Sequence, residues 1–136
     1  MIKKKLASFV AAVLATCLIT TTAFAVDGYK YQAFDGYLRT IDGMAKVGDR
    51  DKTDDLEGVV YINRGLESGT TFMTFYIERI RTNKPATNEY DLWVNGRLGL
   101  PYKSGQGIIN EWYILYASVE PQANTNLIRY EGEWAP

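Results

Sequence analysis

Asp49, Asp51, Asp54 and Asp55 fall within seven residues of one another, and carboxylates at that spacing are what a calcium loop uses. Asp49, Asp51 and Thr53 match the opening of such a loop. The match then fails. Asp54 stands at the sixth position, where the sharp turn needs Gly, and Val60 stands at the twelfth, where a bidentate Glu closes the shell. Arg50 and Lys52 would oppose a cation. The favoured reading of 48–55 is an exposed, solvated loop without a metal, with the four aspartates as a non-standard calcium candidate.

Glu111, Glu131 and Glu133 are a second set, because two carboxyls roughly 5 Å apart across a cleft are what a retaining glycosidase needs. Glu131 and Glu133 alternate outward, as solvated strand residues do, and a chain this short has little material to wall a deep cleft. The chain contains no His, which removes the usual general base, zinc ligand and pH switch together. Its single cysteine is Cys17, so residues 26–136 hold neither a thiol nucleophile nor a disulfide. No motif supports a Ser-Lys pair, and Gly105-Gln106-Gly107 lacks the strand-to-helix context of a phosphate loop. The expectation is a chain that is not an enzyme and carries no cofactor, with a small Glu-based hydrolase as the alternative.

The third set is aromatic. Ten Tyr and three Trp all lie beyond residue 25. Such side chains pair a large apolar face with a polar tip, and suit both half-buried sheet faces and sugar-stacking surfaces. Trp112, Tyr113, Tyr116, Tyr130 and Trp134 are the candidate ligand-binding residues if they share one exposed face. The competing reading is that most of these rings fill a thin core.

The elements that would position these residues begin after an export leader. Lys3, Lys4 and Lys5 form a positive head, Leu6 to Ile19 an apolar run, and Ala23-Phe24-Ala25 a small-x-small site cut after Ala25. The run is shorter than the roughly 20 residues of a spanning helix. Thr16 before Cys17 departs from a lipoprotein box, leaving an uncleaved leader as the one route to a membrane. The expectation is a signal peptide over 1–25 and a secreted, extracellular domain over 26–136. Three of the 15 basic residues are in the leader, so the domain carries twelve against all 16 acidic ones, a net charge of −4. That balance argues against nucleic acid as a partner and leaves a cell-envelope component or a glycan.

Within the domain, strand signals dominate. Tyr29 to Phe34 reads as a strand, Asp35-Gly36 as a turn, and Tyr37 to Ile41 as a second strand. Val59 to Ile62 follows the charged loop. Thr70 to Arg81 mixes helical and strand signals and reads as a long strand with a bulge near Glu78-Arg79. Asn95-Gly96 between apolar residues predicts a hairpin. Trp112 to Ala117 lacks strict alternation, which predicts a central strand covered on both faces. Leu127 to Trp134 alternates, with Ile128, Tyr130 and Trp134 inward and Arg129, Glu131 and Glu133 outward. About seven short strands in one domain predict an all-β fold, a single antiparallel β-sandwich or partly open barrel.

The order of these features also carries a family likeness. Arg39-Thr40, the run Glu67-Ser68-Gly69-Thr70-Thr71-Phe72-Met73-Thr74-Phe75-Tyr76, the strand from Trp112 to Val119 and the terminal Tyr130-Glu131-Gly132-Glu133-Trp134 resemble a family of small secreted proteins from Gram-positive bacteria, domain of unknown function 2712. Those proteins are similar in style to the lactococcin-type β-sandwich bacteriocins. The resemblance implies a bacteriocin-like, non-enzymatic action at a bacterial cell envelope, with bacteriocin-type exporters or immunity transporters encoded nearby. It brings no catalytic residues.

Overall fold

In a computed structural model that describes residues 28–39, 43–69, 71–120 and 127–136, the β-branched and aromatic runs form nine antiparallel strands, with no helix among the described residues. The expected leader over 1–25, with its expected cleavage after Ala25, lies outside the described residues. The chain divides into two units, Met1–Tyr31, of which only 28–31 are described, and Gln32–Pro136, which holds every strand. The strands are β1 (Gln32–Leu38), β2 (Ala45–Asp51), β3 (Gly58–Arg64), β4 (Phe72–Arg79), β5 (Lys84–Pro85), β6 (Tyr90–Leu92), β7 (Gly96–Leu100), β8 (Trp112–Glu120) and β9 (Ile128–Ala135). They form two sheets packed face to face, an open sandwich rather than a barrel. The first sheet runs β1-β9-β3-β7. The second runs β2-β8-β4-β5, with β6 also paired to β4.

The core is what alternation delivers from each sheet. Phe34, Val60, Ile62, Ile128, Tyr130 and Trp134 point inward from the first, and Met73, Phe75, Ile77, Tyr113, Leu115 and Val119 from the second. Trp134 reaches across to β2, where Gly48 faces it. A Cβ at Gly48 would come within 2.5 Å of the indole Nε1, so the bare backbone is what lets the ring in.

Several local expectations are corrected. Asp35-Gly36 is not a turn. β1 passes straight through it, and Gly36 lies opposite Tyr130, whose hydroxyl would stand 2.8 Å from a Cβ there. Asn95-Gly96 closes no hairpin, since β6 before it pairs with β4 and β7 after it pairs with β3 in the other sheet. The Asn95 side chain instead accepts the Leu66 amide, at 3.0 Å. β4 pairs with β8 in unbroken register through Arg79; the bulges fall between Lys46 and Gly48 and between Ile62 and Arg64. β8 is central in its sheet, and its two faces are covered unequally: Tyr113, Leu115 and Ala117 are buried on the inner one, while on the outer one Ser118 is buried, Ile114 and Tyr116 are half-buried and Trp112 looks to solvent.

The charged 48–55 stretch is not an exposed loop either. Residues up to Asp51 are strand, and Lys52 is 1 % exposed. Its Nζ donates to the main-chain oxygens of Leu56 and of Pro136 (3.0 Å), and lies 3.5 Å from Asp54 Oδ1 and 4.8 Å from the Tyr102 ring centre.

Candidate functional site

The outer face of the second sheet carries a run of rings that water can reach, while Tyr37 and Tyr61 are exposed on the first. Alternation along β8 sends Trp112, Ile114 and Tyr116 outward, and the register of β4 sets Glu78 beside Ile114, Tyr76 beside Tyr116 and Phe72 beside Glu120. The Tyr76 and Tyr116 rings stack at 5.0 Å between centres and 9° between planes. Phe72 lies against the exposed Trp93 at 4.3 Å. Three aromatic stations result: Trp112, then Tyr76 with Tyr116, then Phe72 with Trp93. Each is four residues along β8 from the next, a spacing of about 13 Å at the rise of a strand.

Polar groups flank the middle station. A pocket of ≈ 350 Å³ opens beside Tyr76, lined also by Thr87, Asn88, Glu89 and Lys103. Burial, followed by the nearby Glu78, pushes the Tyr76 phenol above its ordinary range. Between the second and third stations Thr74 Oγ1 donates to Asp91 Oδ1 at 2.7 Å. A groove of ≈ 370 Å³ lies elsewhere, between the edges of β1 and β2, from Phe34 and Asp35 to Val47 and Gly48. It presents mainly strand edge and no exposed ring.

The five aromatic residues singled out from the sequence are therefore divided. Trp112 and Tyr116 share the solvent face. Tyr113 and Trp134 are fully buried, and Tyr130 nearly so, tilted against Phe34 at 5.7 Å. These three cannot line a surface, because alternation places each on the inward side of its strand. Sequence reasoning missed Tyr76, Phe72 and Trp93. The signal for the first two was the outward phase of β4, visible once Phe75 and Ile77 are placed inward.

The carboxylates do not assemble. Glu111 precedes β8 in the second sheet, whereas Glu131 and Glu133 face outward from β9 in the first, so the strands that carry them are not neighbours. Arg79 donates to both oxygens of Glu111, and Arg81 lies 3.3 Å from Oε1. Arg79 first, then Arg81, hold the Glu111 carboxyl below its usual range. Glu131 meets Arg129 at 2.9 Å and Arg64 at 3.6 Å.

The four aspartates are equally dispersed. Asp49 pairs with Lys46, Asp51 stands opposite Trp112, and Asp54 accepts the Leu56 amide at 3.0 Å. Among the described residues no three His, Cys, Asp or Glu side chains are grouped to hold a metal ion.

No family model matches the chain, and no curated protein matches it in sequence.

Proposed function

We infer that this chain is a non-enzymatic binding module acting at a bacterial cell envelope, and that it takes an elongated glycan along the outer face of its second sheet. The observation that carries this reading is the row of three aromatic stations at equal spacing on one solvent-facing strand surface. Flat rings stack on the apolar faces of pyranoses, and a repeated spacing suits a polymer better than a single small molecule. Asn88, Glu89 and Lys103 beside Tyr76 supply donors and acceptors for sugar hydroxyls. The secretory leader and the likeness to lactococcin-type proteins support the envelope as the place of action.

The test is binding of the exported protein to purified bacterial cell wall and to a glycan array. Tyr116→Ala and Tyr76→Ala are each expected to weaken binding about tenfold, the equivalent of 1.4 kcal/mol, with circular dichroism unchanged. Absence of binding to any polysaccharide, or unaltered binding by both variants, would overturn the proposal. Growth of related bacteria exposed to the same protein reads whether engagement is inhibitory, the bacteriocin-like outcome.

A further inference from the structure

We propose that one end of the second sheet, formed by the Arg79–Lys84 turn and the segment Ile108–Trp112, is a contact edge that seats on an anionic lipid surface. This goes beyond the glycan reading and uses a different part of the molecule, with Trp112 where the two meet.

Four large apolar side chains are presented to water there: Ile80 is 44 % exposed, Ile108 41 %, Ile109 44 % and Trp112 53 %. The two segments are joined, since the Ile80 amide donates to the Trp112 carbonyl at 3.1 Å. Nor does the isoleucine pair hang on a loose loop. The Ile108 amide donates to the Tyr113 hydroxyl at 2.8 Å, the Asn110 amide to the Lys52 carbonyl at 2.8 Å, and the Lys52 amide to the Glu111 carbonyl at 2.9 Å. Asn110 takes a left-handed φ of 67° to complete the turn. A backbone pinned in this way holds Ile108 and Ile109 outward, and clustered exposed apolar groups of this kind mark a contact surface.

Charge identifies the occupant. Arg79-Ile80-Arg81-Thr82-Asn83-Lys84 carries three cations and no acid, in a domain whose net charge is −4. Three acids stand at this end: Glu111 is engaged by Arg79 and Arg81, Glu78 directly precedes Arg79 on β4, and Asp51 lies opposite Trp112. The Arg81 side chain is 78 % exposed. An acidic body with a basic, apolar tip is oriented by an anionic surface, tip first. Half-exposed side chains, with Trp and Arg among them, suit shallow entry into a headgroup layer, where no complementary pocket is needed.

The exported protein is mixed with vesicles of phosphatidylcholine alone or with phosphatidylglycerol added. Binding is read by co-sedimentation and by the blue shift of Trp emission, alongside sedimentation of the free protein. Binding to the anionic vesicles, weakened by salt and little seen with the neutral ones, is expected. Arg81→Gln with Lys84→Gln should weaken it roughly thirtyfold, and Ile108→Ser with Ile109→Ser at least about tenfold, while Tyr116→Ala leaves it unchanged. Trp112→Phe should abolish most of the blue shift. Failure to bind anionic vesicles, or binding that survives both double variants, would overturn the proposal. So would self-association that the same variants abolish, which would assign the tip to a second copy. Failure on the anionic vesicles, with cell-wall binding still lost in Tyr116→Ala, would leave the glycan reading standing by itself.

Discussion

Lys52 is the residue at which composition and environment part most sharply. Its neighbours in sequence are charged, yet its stem and ammonium lie in the interior beside the end of β9. The group is tolerated because two main-chain oxygens, Asp54 and the Tyr102 ring replace the water it lost. Replacing Lys52 by Met keeps much of the volume but strands those two buried oxygens. The variant is expected to lose about 2–4 kcal/mol, read as a lower urea midpoint. A second signature follows from titration. Burial pulls the Lys52 pKa below its ordinary 10.5, with Asp54 and Asp55 opposing. Between the lowered folded value and 10.5 the unfolded chain binds more protons, so this group's contribution makes stability rise with pH across that window. Lys52→Met should remove that slope.

At the scale of elements, two kinds of signal behaved differently. Period-two alternation was reliable: Ile128, Tyr130 and Trp134 do point inward from β9, and Tyr113, Leu115 and Ala117 do share one face of β8. The strands, the all-β class and the sandwich were legible for that reason. Turn dipeptides misled. Asp35-Gly36 and Asn95-Gly96 hold glycines for reasons outside local turn geometry, one to clear the Tyr130 hydroxyl and one, at φ 149°, where the chain passes from one sheet to the other. The candidate site was half legible for a related reason. Alternation paired Trp112 with Tyr116, but Tyr76 joins them only through the β4–β8 register, which no local pattern encodes. Gly48 supplies the test at this scale. Gly48→Ala directs a methyl into the Trp134 indole and is expected to cost about 1–3 kcal/mol, with a change in near-ultraviolet circular dichroism as the ring is displaced. The same substitution at Gly43, where nothing lies within 4 Å of the added atom, clears the packing but sits at φ 62°, so its cost is confined to backbone strain and leaves the Trp signal intact.

Across the whole molecule the connectivity is strongly non-local. β1 goes to the first sheet, β2 to the second, β3 to the first, β4 to β6 to the second, β7 to the first, β8 to the second and β9 to the first. The opening strand is completed by the closing one, Gln32 opposite Trp134. Contacts between distant parts of the chain must therefore form before most strands have a partner, which slows folding. Refolding from urea is expected on the millisecond-to-second scale. Removing residues 128–136 should leave a chain without cooperative unfolding, because β1 loses its sheet partner and β3 one of its two. A cooperative transition in that truncation would contradict this account of the topology.

The pairing of first strand with last has a consequence for passage through a membrane. A polypeptide threaded amino end first through a narrow export channel must stay slack until it has cleared the pore. In a chain exported as proposed above, the order of assembly would supply that delay: the sheet cannot close while its final strand is still inside, and only on the far side, with both edges present together, would the sandwich become a stable object.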